Sequence, residues 1–198
     1  MWTDNLSNKQ LAEWKKTLSL YKKAAVSIIK TIDLYNRQQQ EQPIEHIKYR
    51  IKSDESIEGK LLKKNVTPSI ENALTLKDLA GIRLVCVFEN DIYKIVEKIK
   101  DIDYLTVTNE KDYVKTPKKS GYRGYHLIVD VSYKDKIIPV EIQIRSLAMD
   151  FWACIEHKLI YKPDDRTKKK VRKSLQKASN QVSQIEKQMV NTENKNQH

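Results

Sequence analysis

Apolar residues recur at threes and fours from about residue 8 to residue 38: Leu11, Trp14, Leu18, Tyr21, Ala25, Ile28 and Ile32. That spacing predicts a long amphipathic helix, closed by the polar tract 37–42 ahead of Pro43. A second helix is expected from Ser53 to about Lys63, with Ile57, Leu61 and Leu62 as its apolar stripe. Thr75 is expected to cap a short turn, which Gly81 closes in a left-handed conformation. The period then shortens to two. Residues 82–88 read as a strand with Ile82, Leu84, Cys86 and Phe88 on one face. A helix over 91–100 turns Ile92, Ile95, Val96 and Ile99 inward, and 104–114, 125–133 and 136–145 read as three more strands. Ser146 opens a helix carrying Leu147, Phe151, Ile155 and Leu159. The last helix, roughly 165–190, has a thin stripe of Val171, Leu175, Val182 and Ile185. So thin a stripe is expected to pack on a partner or on the N-terminal helix.

Helices around a mixed sheet of about four to five strands define an α/β (α+β) chain. The pattern divides it into an N-terminal helical extension (1–42), a central domain (43–162) and a basic C-terminal helix and tail (163–198). With 198 residues, 32% charged and 39% hydrophobic, it is long enough for a proper core and too apolar to be disordered. No apolar run approaches ~18 residues, and the first ten lack the order of a signal peptide, so a cytoplasmic protein is expected. Cys86 and Cys154 have no paired spacing and read as buried, inert thiols. A formal net charge of +11 favours polyanionic partners without choosing among nucleotide, nucleic acid and acidic lipid. The chain has four glycines and neither of the common glycine-rich phosphate motifs, so any bound phosphates must be held by side chains.

Residues 140–146, VEIQIRS, carry the first chemical signal. In a strand, Glu141, Gln143 and Arg145 share a face while Ile142 and Ile144 point into the core. A solvent-facing antiparallel edge would give the same pattern. Asp78, just before the strand of Arg83, changes the balance. If the two strands are neighbours, Asp78 and Glu141 converge, and paired carboxylates beside a basic cleft suit Mg²⁺ with substrate phosphates. Locally, Thr75 and Asp78 also fit a capping box. Lys48, Arg50, Lys52, Lys60, Lys63 and Lys64 form a cluster that is ordinarily a solvated helix face. The stretch 115–126, KTPKKSGYRGYH, has no helical or strand period and interleaves Tyr122, Arg123, Tyr125 and His126 with lysines. Such a loop can stack a base and hold its phosphates, or be an ordinary surface hairpin.

Taken together, DLAGIR, KKSGYRGYH and VEIQIRSLAMDFWACIEHK resemble the synthetase domain of the RelA/SpoT family, over about Pro43 to Lys162. The short length is similar to its small alarmone synthetases. The resemblance implies a nucleotidyltransferase-like fold and transfer of pyrophosphate from ATP to the 3′-OH of GTP or GDP, giving (p)ppGpp and AMP. It implies that Asp78 and Glu141 hold Mg²⁺, with Glu141 also the base for the attacking hydroxyl. Arg50 and Arg83 would sandwich the adenine, and Lys52, Ser56 and Lys60 would hold the donor phosphates. Tyr122 would stack on the acceptor guanine, with Lys111, Lys118, His126, Gln143 and Asp150 around the rest of the acceptor. A homo-oligomer, a tetramer by family likeness, is expected. An alternative within the family is a toxic synthetase that pyrophosphorylates the 3′ end of tRNA and is neutralised by an antitoxin protein. The chain departs from the family pattern at Ser146, where threonine is usual, and at Gly124, where serine is common. His46 and Lys48 replace the aromatic and small polar residues of product-activated members, which speaks against product activation.

Overall fold

A computed structural model describes residues 1–160 and 165–196. The boundary expected at 162/163, and the first residues of the basic stretch after it, lie outside the described residues. A short 3-10 turn, Trp2–Asn5, precedes helix α1 (Asn8–Gln38). Ser7 starts α1 with a reciprocal cap: its hydroxyl accepts from the Gln10 backbone N–H, and its own N–H donates to Gln10 Oε1. Strand β1 (Ile44–Ile51) follows, then α2 (Asp54–Leu62), α3 (Ile70–Leu74), β2 (Ala80–Cys86) and α4 (Glu89–Lys100). The chain continues through β3 (Leu105–Asp112), β4 (Tyr125–Tyr133), β5 (Lys136–Ser146), α5 (Leu147–Ile160) and α6 (Asp165–Asn196).

The five strands form one sheet in the order β1-β2-β5-β4-β3. Only the central β2–β5 pair is parallel; the outer pairings are antiparallel. The apolar faces of the strands, including Ile82, Leu84, Leu127, Val129, Ile142 and Ile144, join α1 and α4 in one core. Trp14 and Trp2 meet edge to face at 5.4 Å, and both indole N–H groups donate to Asp54: to Oδ1 at 2.9 Å from Trp14 and to the backbone carbonyl at 3.3 Å from Trp2. The start of α1 thereby fixes the first turn of α2.

β1 was not expected as a strand. Its residues are mostly exposed or half-buried, so no clean alternation marks it, and pairing with β2 makes it a strand. Gly81 lies inside β2, opposite Arg50, rather than closing a turn. Thr75 ends α3 and its hydroxyl donates to the Asn72 carbonyl, while Asp78 turns to two lysines, so the capping box does not form. Phe88 precedes α4 instead of extending β2.

On α5 the expected stripe faces outward: Leu147, Phe151, Ile155 and Leu159 are exposed, Phe151 by 61%. The inward face is Met149, Trp152 and Ala153, because Trp152 alone reaches an acceptor, the Leu175 carbonyl of α6, at 2.8 Å. Cys154 shares the outward face and is exposed, whereas Cys86 is buried. α6 makes its main contact with α5 and not with α1. Among the described residues, no helix is long and apolar enough to cross a membrane.

Trp14→Ala removes a side chain that is 1% exposed and leaves Asp54 without its indole donor. Denaturant unfolding is expected to show a loss of ~3–5 kcal/mol, against less than ~0.5 kcal/mol for Lys22→Ala on the exposed face of the same helix.

Candidate active site

Strand register sets the site. Residues paired across a sheet project to the same face. One cross-strand row therefore runs Lys48, Arg83, Gln143, His126, Lys111 over all five strands. The next row runs Arg50, Gly81, Glu141, Ile128. Residues that lie far apart in the sequence, from Lys48 to Gln143, thus share one face, opposite the apolar core. Lys48, Arg50, Arg83, Glu141 and Gln143 line a cleft of about 250 Å³, floored by Gly81.

At one end of the cleft, Asp78 Oδ2 accepts from Lys52 Nζ at 2.6 Å and from Lys60 Nζ at 2.7 Å. Lys52 follows β1, where its backbone N–H is held by the Leu79 carbonyl at 2.8 Å; Lys60 comes from α2. Ser56 sits in the first turn of α2, its hydroxyl bonded to Ser53 at 2.9 Å. Burial alone would push the Asp78 carboxyl up, but the two lysines outweigh it and hold the carboxyl below the ordinary range. Asp78 Oδ1 is buried with no partner.

Glu141 stands in the middle of the face. Its Oε2 accepts from Gln143 Nε2 at 3.0 Å, and its Oε1 lies 3.4 Å from His126 Nδ1. Burial raises its pKa, yet His126 and Gln143 together bring it below the ordinary value, against an opposing push from Asp78.

The loop from Tyr113 to Gly124 forms the third part. Tyr113, Tyr122 and His126 meet edge to face, with centroids 5.4–6.1 Å apart. Lys118 Nζ lies over Tyr113 at 4.4 Å and over Tyr122 at 4.8 Å. Tyr122 is only 8% exposed. Its hydroxyl meets His126 Nε2 at 2.5 Å and accepts from Arg145 at 3.1 and 3.2 Å. Arg145 also donates to Gln143 Oε1 at 3.2 Å and to Asp150 Oδ1 at 2.9 Å, and Arg83 approaches the same Asp150 oxygen at 3.4 Å. Gly124 has φ +150°, and a Cβ there would come within 3.0 Å of the Tyr122 hydroxyl and 3.2 Å of Arg145 Cγ. The departure at this position therefore matches the conformation and the crowding that it meets.

Of the expected residues, Arg50 and Arg83 share the cleft with Glu141 and Gln143. Lys52, Lys60 and Asp78 form one cluster, and Lys118, Tyr122, His126 and Asp150 another. Lys111 lies on edge strand β3, beside His126 in register and away from the cleft lining. Two participants went unassigned in the sequence. Arg145 carried a signal, since it alternates with Glu141 and Gln143. Tyr113 carried none, because its place at the rings is set by the fold of the loop.

Among the described residues no group of three or more acidic, cysteine or histidine side chains could hold a metal ion by itself. Two carboxylates, one with an unpartnered buried oxygen, still fit a divalent ion that takes its other ligands from phosphates and water. The cleft and the cluster at Asp78 together present lysines, arginines and two carboxylates. A family model described as "Region found in RelA / SpoT proteins" matches residues 49–166, and the chain belongs to that family. It is 35% identical over 189 residues to the GTP pyrophosphokinase YwaC of Bacillus subtilis (strain 168), covering 91% of this chain and 90% of that protein. It is 36% identical over 185 residues to the GTP pyrophosphokinase YjbM of the same organism, covering 89% and 87%. The structure matches small alarmone synthetase 1 from Bacillus subtilis bound to its product pppGpp, with TM-score 0.83, 34% identity, and coverage of 93% of this chain and 98% of that one.

The depressed Asp78 carboxyl links to stability with a definite sign. Its contribution is full above the unfolded value of about 3.9 and is lost as pH falls through the lower folded value. In Asp78→Asn, the urea midpoint is therefore expected to fall less than in the parent protein between about pH 5 and pH 2.

Proposed function

We infer that this chain is a GTP pyrophosphokinase, transferring pyrophosphate from ATP to the 3′-OH of GTP or GDP and releasing AMP. The observation that carries this reading is the cleft of Arg50, Arg83, Glu141 and Gln143, with the Asp78–Lys52–Lys60 cluster beyond the ends of β1 and β2, in a chain a third identical to proteins named for that activity. The same relatives favour a free nucleotide acceptor over tRNA, and nothing in them favours an antitoxin partner.

Arg50 and Arg83 lie on neighbouring strands at one cleft, where two guanidinium planes can take the adenine between them. Lys52 and Lys60, with Ser56, are placed for the donor phosphates. Each ammonium spends one N–H on Asp78 and keeps others for incoming oxygens. Lys118, Tyr122, His126, Gln143 and Asp150 surround the acceptor, with Lys111 at its edge. Tyr122 is nearly buried, with Lys118 Nζ 4.8 Å and Arg145 Cζ 5.0 Å from its ring centre, so a guanine that stacks on it must displace part of this cover. Asp78 and Glu141 would hold Mg²⁺, which neutralises phosphate charge and acidifies the attacking hydroxyl when bound.

In the transfer, the acceptor 3′-oxygen forms a bond to the β-phosphorus of ATP. The bond from that phosphorus to the α,β-bridging oxygen breaks, and AMP leaves with that oxygen. Glu141 takes the hydroxyl proton. A carboxylate held below its usual range is a weak base, yet it is ionised throughout the neutral range, so the site relies mainly on positioning and charge. His126 and Gln143 fix its two oxygens.

The exposed stripe of Leu147, Phe151, Ile155 and Leu159 on α5 supports a closed homo-oligomer, a tetramer by family likeness, and the cytoplasm is the compartment that supplies both nucleotides. Light scattering is expected to give a multiple of the chain mass at micromolar concentration; a monomer would sink this assembly.

Glu141→Gln is expected to lower turnover by ~10²–10⁴-fold or more while leaving the melting temperature near that of the parent. Labelled ATP with Mg²⁺ is to be offered with GTP, GDP or deacylated tRNA. Label transferred only to tRNA, or an undiminished rate in Glu141→Gln, would overturn the reading.

A further inference from the structure

The acceptor loop does not stand alone. Gly121 has φ +94°, and a Cβ on it would come within 2.9 Å of Ser179 Cβ and 3.1 Å of the Gln176 backbone, both on α6. The Ser179 hydroxyl, in a buried side chain, donates to the Gly121 carbonyl at 2.5 Å. Beside this contact, Tyr122, Trp152, Ala153 and Leu175 form a buried cluster apart from the main core, with Tyr113, Val171 and Ala178 against it. Trp152 ties the cluster to α6 through the Leu175 carbonyl. The remaining gap, lined by Gly121, Arg123, Trp152, Ser179, Ser183 and Glu186, is about 10 Å³, room for one water at most. α6 therefore packs on the loop without slack, and it supplies Leu175, Val171 and Ala178 to the cluster that buries Tyr122.

We propose that α6 is a working part of the acceptor site: Ser179 and the Leu175–Trp152 contact fix the loop, and Ser179 is a positioning residue for the acceptor nucleotide. This rests on the assignment of the loop to the acceptor. The reasoning is local. A glycine in a left-handed conformation is the most easily moved point of a loop. Here its carbonyl is held by a hydroxyl on a different element and its α-carbon is walled in by a helix. Tyr122 and Lys118 sit on either side of that point, and the Lys118 carbonyl accepts from the Gly121 N–H at 2.8 Å. Loosening Gly121 thus moves the ring and the cation together. The donor cluster of Asp78, Lys52 and Lys60 is built on other elements and does not sense it.

The test uses the full chain. Ser179→Ala removes the hydrogen bond without adding bulk, and Trp152→Phe removes the tie to α6 without touching the loop carbonyl. For each, KM for GTP, KM for ATP, kcat and the melting temperature are measured, with Lys118→Ala and Tyr122→Phe as references. The expected result for Ser179→Ala is a KM for GTP raised about 5–20-fold with KM for ATP changed less than about two-fold, and a smaller change in the same direction for Trp152→Phe. Equal losses for both substrates, or a lower melting temperature with both KM values unchanged, would mean that α6 only stabilises the fold and would overturn the proposal. If Lys118→Ala and Tyr122→Phe also leave KM for GTP unchanged, the assignment of the loop itself fails. If they raise it and Ser179→Ala does not, the assignment stands and the role of α6 falls.

Discussion

Parallel pairing of β2 with β5 sets Gly81 against Glu141 and Arg83 against Gln143, and the cleft follows from that register. Side chains alternate with period two, so a slip by one residue would send Glu141 and Gln143 into the core and expose Ile142 and Ile144. The isoleucines prevent this, being fully buried among the residues of α1 and α4. The same apolar alternation that builds the core therefore aims the polar residues at the opposite face. Across Gly81 lies the Arg50 stem, 3.9 Å from where a Cβ would be, an ordinary contact distance.

Charge at the site is arranged two cations to one carboxylate, and this occurs twice. Lys52 and Lys60 share Asp78 Oδ2; Arg83 and Arg145 share Asp150 Oδ1. Each carboxylate orders a pair of cations that would otherwise repel one another. Each pair keeps an excess of positive charge and unused donors for a polyanion.

α5 is apolar on two faces and uses them differently. Met149, Trp152 and Ala153 close the joint between sheet, loop and α6, while Leu147, Phe151, Ile155 and Leu159 remain on the outside. α6, by contrast, has a thin apolar stripe and packs through small and polar contacts: Ser179 and Ser183 are buried, and Ile185 and Met189 are exposed.

Period and punctuation in the sequence were enough for α1, read from about residue 8 to residue 38, for α2, α4 and four of the five strands. They were enough too for the polar stripe of Glu141, Gln143 and Arg145, because alternation is a local property of the backbone. The three short motifs carried the family. β1 was not legible, since an edge strand with charged residues on its open face has no periodic signature and forms only by pairing with β2. Nor could the sequence choose between the two apolar faces of α5; that choice depends on Trp152 finding the Leu175 carbonyl, twenty-three residues away. The local cap that Asp78 could have made did not form, and its carboxylate accepts instead from Lys52 and Lys60, both within 2.7 Å. Long-range pairing decides such questions, because the energy of a hydrogen bond or an ion pair depends on which elements the whole chain has brought together.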